Sequence, residues 1–242
     1  MNNAAIGVFG RITDVPLADI QRVLDVNIVG YVNGARAALP RLRAQGAGVL
    51  ANVASIVGEI SQPYTAAYSI SKAAVRALSV SIRSELQLDG IRKVKVCTVL
   101  PAAIDTPFFQ HAANYTGRKV VAMPPVYTPE RVAATIVALA AKPRREAVVG
   151  PAGRLMVLQH KITPAKVEAA MAVQVEKTHL SRKKPAADGA PQDGCCSGRG
   201  DCRRRALEPE ALTRPSFRLG QRYFSAKLRS AARTKPAPST PP

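Results

Sequence analysis

NVASIVGEISQPYTAAYSISK, residues 52–72, is the stretch from which the rest of the chain can be read. Within it Tyr68 and Lys72 stand four residues apart, so on a helix their side chains share one face, one turn apart. A phenol with its ordinary pKa of about 10 is a poor acid or base at neutral pH, and an ammonium beside it favours the phenolate and lowers that value. Ser55 precedes Tyr68 by thirteen positions, at the end of the apolar run GVLANVAS, which reads as a buried strand. Its hydroxyl is suited to hydrogen-bond a carbonyl or alcohol oxygen while Tyr68 moves the proton. The YxxxK pair alone carries little, since in many helices Tyr packs on the core and Lys runs its stem out to water. What narrows the reading is the whole order: strand, Ser, Gly, Pro, Tyr, Ser-Lys, then a helix of small residues.

This order resembles the active-site segment of the short-chain dehydrogenase/reductase family, a Ser, a spacer and then YxxSK, matched here by Ser55, Gly58, Pro63, Tyr68, Ser71 and Lys72. The resemblance implies an oxidoreductase that uses NAD or NADP on a small-molecule alcohol or carbonyl. Tyr68 is then the general acid/base, Lys72 lowers its pKa and holds the nicotinamide ribose, and Ser55 orients the substrate oxygen. Upstream, Asp25, Val26, Asn27 and Gly30 match the family's DVNxxG pattern. That implies a fourth catalytic member, Asn27, holding a water in a proton relay to the Lys; the plainer reading is a core amide with its hydrogen bonds satisfied.

Further upstream, Asn2, Asn3 and Ala4 match an NNAG segment that follows the fourth strand in the resembled family, and Asn3 and Ala4 are expected at the cofactor. Ala5 stands where Gly is usual, a methyl tolerable at negative φ. Downstream, residues 101–107 (PAAIDTP) resemble the family's PGxxxTP turn, with Ala102 in place of Gly. Pro101, Ile104 and Thr106 are therefore cofactor-binding candidates, Ile104 by its backbone and Thr106 by its hydroxyl; an ordinary turn is the alternative. Residues 108–127 read as an apolar, aromatic loop. Its Phe108, Phe109, His111, Tyr115 and Met123 are candidates for substrate contact, or for mere packing.

The remaining pattern predicts α/β architecture. Ile20, Val23, Leu24, Ile28, Tyr31, Val32, Ala35, Leu39 and Leu42 recur at helical steps, and a second helix runs over residues 66–86. Residues 49–53, 94–100 and 146–150 read as buried strands, and Thr128, Pro129 and Glu130 open another helix reaching residue 141. Strands alternating with helices indicate a Rossmann-like, doubly wound parallel sheet. The resemblance covers residues 1–150, which are expected to begin beyond the family's glycine-rich half. The first strands would then be missing and residues 49–53 would carry an open edge. Residues 151–180 predict a helical extension, and the two long helices are expected to form a homodimer or tetramer interface, as they do in the family.

Of 242 residues, 35 are Lys or Arg and 16 Asp or Glu, a formal net charge of +19. Much of the excess lies in residues 181–242, rich in Pro, Arg, Lys, Ser and Gly, which predict a disordered tail. There Gly194, Gly198 and Gly200 spell GxxxGxG, but their flanks are neither strand nor helix, so the match is rejected. The RGD triplet at 199–201 is too short to carry meaning. Four cysteines without paired CxxC spacing and three histidines spell neither a disulfide scaffold nor a metal site. No signal peptide or membrane span is visible, and a cytoplasmic protein is expected. Two function classes follow: a dehydrogenase fragment, or an inactive homologue whose basic tail binds nucleic acid or anionic surfaces.

Overall fold

Three Val-rich strands set the frame: β2 (Gly48–Val53), β3 (Val94–Pro101) and β5 (Glu146–Val149) pair in parallel in the order β2-β3-β5. The register places Ala51 opposite Cys97 and Val99 opposite Ala147. The computed structural model describes residues 1–181. The predicted basic tail, its glycine run, the RGD triplet and the cysteines at 195, 196 and 202 lie outside the described residues. Both faces of the sheet are covered, which is why its strands lack polar alternation. On one face Leu50, Val94 and Val96 pack against Ala35, Ile82 and Leu86 of the two long helices. On the other, Val53, Val99 and Val149 meet Leu139 of α5 (Pro129–Ala141). Each buried Val, Leu or Ile among them contributes roughly 1.5–3 kcal/mol of transfer free energy.

The first long helix is interrupted. It runs as α1 (Leu17–Leu24), a π-helical turn (Asp25–Val29) and α2 (Gly30–Gln45), where a regular helix was expected. Gly46, at φ 77°, supplies the left-handed C-cap. The second, α3 (Ala66–Leu88), buries Ser71, Lys72, Val75, Ser79, Ile82 and Leu86.

β2 is the outer strand of the described sheet, but its rim is not bare. Asn2 bridges to it, with Asn2 N–H on Ala51 O at 2.9 Å and Val53 N–H on Asn2 O at 3.0 Å. The Asn2 carboxamide also donates to Asn52 Oδ1 at 2.9 Å. Tyr64, at φ 63°, is the non-glycine residue with positive φ among the described residues, so Ala5 occupies the ordinary backbone its methyl requires. Residues 108–127 are less loop-like than expected: α4 (Phe108–His111) leads into β4 (Ala113–Asn114), which pairs in parallel with β1 (Val8–Phe9). The extension consists of α6 (Pro151–Ile162), α7 (Pro164–Gln174) and a π turn (Val175–His179), with Met171 and Val175 packed on Ile60 and Met123. No helix of the described residues is long and apolar enough to cross a membrane.

Candidate active site

Beyond β2 the chain passes Ser55, which caps a 3-10 turn at Ile56–Gly58: its hydroxyl accepts Val57 N–H at 3.2 Å and donates to Pro101 O at 3.4 Å. Gly58 seats this turn on α3. A Cβ there would come within 2.6 Å of Lys72 C and 2.7 Å of Lys72 O, so only hydrogen fits. The close approach brings the Ser55 side chain into hydrogen-bonding contact with Tyr68.

Tyr68 is half-buried, and burial pushes its hydroxyl up to about 12 while the Ser55 hydrogen bond pulls it down. Lys72 is 1 % exposed. Its Nζ donates to Val53 O at 2.9 Å and to Tyr31 Oη at 3.4 Å, and it lies 5.6 Å from the Tyr68 ring centre and 5.2 Å from that of Tyr31. Burial lowers its pKa to about 7. Withdrawal from water disfavours the charged form of both groups, the phenolate and the ammonium. Tyr31, which the sequence placed only on an apolar stripe, is 2 % exposed and donates its own proton to Val53 O at 2.8 Å.

Asn27 lies in the π turn with no exposure. Its Oδ1 accepts Ile6 N–H at 2.9 Å, and its Nδ2 donates to Ile6 O at 2.9 Å and Ser71 Oγ at 3.0 Å. Ser71 in turn donates to Tyr68 O at 2.7 Å. Asn27 thus ties the N-terminal loop to the helix that carries Tyr68 and Lys72, with both of its N–H groups spent. Asn3 and Ala4 of that loop are exposed.

In the turn after β3, Pro101 is buried and Ile104 bridges to Tyr127. The bridge uses Asp105 N–H on Tyr127 O and Tyr127 N–H on Ala103 O, both at 2.9 Å. That leaves the N–H and C=O of Ile104 itself without a hydrogen-bond partner among the described residues. Thr106 is half-buried just before α4.

The substrate candidates divide. The Phe108 ring sits 5.1 Å from that of Tyr68, and Phe109 lies 5.5 Å beyond it. Phe9 and His179, neither of them anticipated, complete this aromatic cluster, each within 6.1 Å of Phe109. The other three point elsewhere: the Tyr115 hydroxyl donates to Asp19, His111 is exposed, and Met123 belongs to the core beneath α7.

The chain is similar to several known proteins. Residues 1–116 match the family described as short chain dehydrogenase. The chain is 30 % identical over 225 residues to the uncharacterized oxidoreductase YxnA of Bacillus subtilis, covering 89 % of this chain and 63 % of the relative. It is 32 % identical over 187 residues to the putative oxidoreductase SadH of Mycobacterium tuberculosis, covering 73 % and 66 %. The chain thus spans about two thirds of the length of these relatives. Among solved structures, a short chain dehydrogenase from Burkholderia cenocepacia in complex with NADP shares the fold, with a TM-score of 0.59 at 24 % identity over 70 % of this chain and 66 % of that one.

Proposed function

We propose that this chain, whose residues 1–116 match the short chain dehydrogenase family, is an oxidoreductase that interconverts an alcohol and a carbonyl with NAD or NADP. The observation that carries the reading is the convergence of the Ser55 hydroxyl, the Tyr68 phenol and the Lys72 amine from two elements held together at Gly58. The bound dinucleotide would supply or accept the hydride.

The residues present fit that group. The N–H and C=O of Ile104, left over by the Tyr127 bridge, offer the complementary pair that a carboxamide needs, with the Thr106 hydroxyl two residues on. An ammonium carries three donors, and Lys72 spends two within the protein, which leaves one for a ribose hydroxyl. Pro101, Asn3 and Ala4 flank the same space in this reading.

Tyr68 donates its proton to a carbonyl oxygen in reduction and takes it back in oxidation, while Ser55 holds that oxygen. Asn27 enters the relay through its main chain, because its carboxamide N–H groups are spent and a π turn relaxes the helical ladder around it. Phe108 and Phe109 give the substrate an apolar flank; His111, Tyr115 and Met123 drop to packing and surface roles. The protein works in the cytoplasm as a homodimer or tetramer. In an assay of the full chain with NAD(P)H and a panel of ketones and aldehydes, Tyr68→Phe loses at least about 100-fold in turnover with an unchanged circular dichroism spectrum. Equal turnover in that variant sinks the assignment.

A further inference from the structure

The Lys72 amine sits where three elements meet. β2 offers the Val53 carbonyl, α2 offers Tyr31, and Lys72's own helix offers Tyr68. Among the described residues no carboxylate is paired with it, and Arg76, one turn further along α3, spends its charge on Glu59 and Glu146. A buried amine without water must find acceptors for its protons within the protein.

Tyr31 is oriented to be such an acceptor. Its only proton is committed to Val53 O at 2.8 Å, so the oxygen presents lone pairs, not a proton, to Nζ at 3.4 Å. Val53 O accepts from both Tyr31 and Lys72, filling its two lone pairs. A neutral amine could use Tyr31 Oη less well than an ammonium can, so this triangle favours the charged form. The hydroxyl also has no apolar rationale: at 2 % exposure a Phe would pack without needing a partner.

We propose that Tyr31 is a positioning residue for the reaction: with the Val53 carbonyl it holds the Lys72 amine between two phenols and favours its charged form there, within reach of Tyr68. The inference rests on the reading above that Lys72 and Tyr68 belong to one dehydrogenase site, and it adds a residue that fixes the place of the Lys72 amine and favours its charge.

The test does not use turnover. In the full chain labelled with ¹³Cε-lysine, the Lys72 signal is identified by its loss in Lys72→Met and titrated by NMR. In Tyr31→Phe, which keeps the ring and removes the acceptor, its midpoint falls by about half a unit or more, a roughly threefold shift toward the neutral amine. A folded Tyr31→Phe protein with the wild-type midpoint overturns the proposal. Should that variant fail to fold, ¹³Cζ-tyrosine labelling of the wild type decides. A Tyr31 signal that moves with the Lys72 midpoint sustains the coupling, and one that stays flat through it overturns it. A chain without dehydrogenase activity whose Tyr31→Phe variant still moves the midpoint overturns the dehydrogenase reading instead and leaves the coupling standing.

Discussion

Lys72 gives up its proton at about 7 in the folded chain, against an ordinary 10.5, because burial disfavours its charge. The unfolded chain therefore binds the extra proton between those values, and folding stability rises with pH across that window. From pH 7 to pH 9 the gain is about 2 kcal/mol, measured as the difference between wild type and Lys72→Met in urea melts at the two pH values. A difference that does not change with pH contradicts the burial of the charge. Above pH 10 Tyr68 acts in the opposite sense. Its folded value of about 12 lies above its ordinary 10.0, so the stability it contributes is complete below 10 and is lost as pH climbs through 12. Ser55→Ala removes the one contact that lowers the phenol, so the Tyr68 titration, followed by ultraviolet difference spectroscopy, moves further upward. Ser55, Tyr68 and Lys72 were legible because each is a distinctive residue at a fixed spacing. Tyr31 was not, because a Tyr on an apolar helical stripe looks like core. Its role depends on a main-chain carbonyl, Val53 O, which leaves no mark in a sequence.

At the level of elements, the 3-10 turn and α3 act as one piece because Gly58 allows backbone to lie on backbone. Gly58→Ala puts a methyl within 3 Å of Lys72 C, Lys72 O and Ala73 N, so the turn must lift away and carry Ser55 from Tyr68. Thermal melts should show a loss of about 1–3 kcal/mol, with a fall in kcat greater than any change in KM. Asn27→Leu tests the other clamp. It strands the N–H and C=O of Ile6, at about 1–3 kcal/mol for each buried group left unpaired, and chemical denaturation reads the sum. The helices and strands around these clamps followed from periodicity, since valine runs and three- and four-residue steps mark them directly. The π turn did not, because a single widened turn at Asp25–Val29 shifts the apolar stripe too little to break its spacing. The β1–β4 pair also escaped notice, since two-residue strands have no alternation to read.

Across the whole molecule, the parallel character of the sheet was readable from strands without polar faces, whereas the strand order and the Asn2 bridge depend on packing at long range. The exposed side of α3 carries Ile70, Ala73, Ala77 and Val80 in helical register, with Ile70 52 % and Val80 44 % exposed. Such a small-residue apolar stripe suits close helix approach between copies of the chain. Light scattering behind size exclusion should report a dimer or tetramer for the wild type and a shift toward monomer for the Ile70→Asp, Val80→Asp double variant. The triangle of Val53, Tyr31 and Lys72 has a further consequence in time. Its members are joined across 22 and 41 positions, and Asn2 meets Asn52 across 50, so no local segment can assemble them early. Closing such loops costs entropy before any contact repays it, which slows folding in chains of high contact order. Helical signal should return first on refolding, and the anomalous protonation of Lys72 last: the chain acquires its shape before its chemistry.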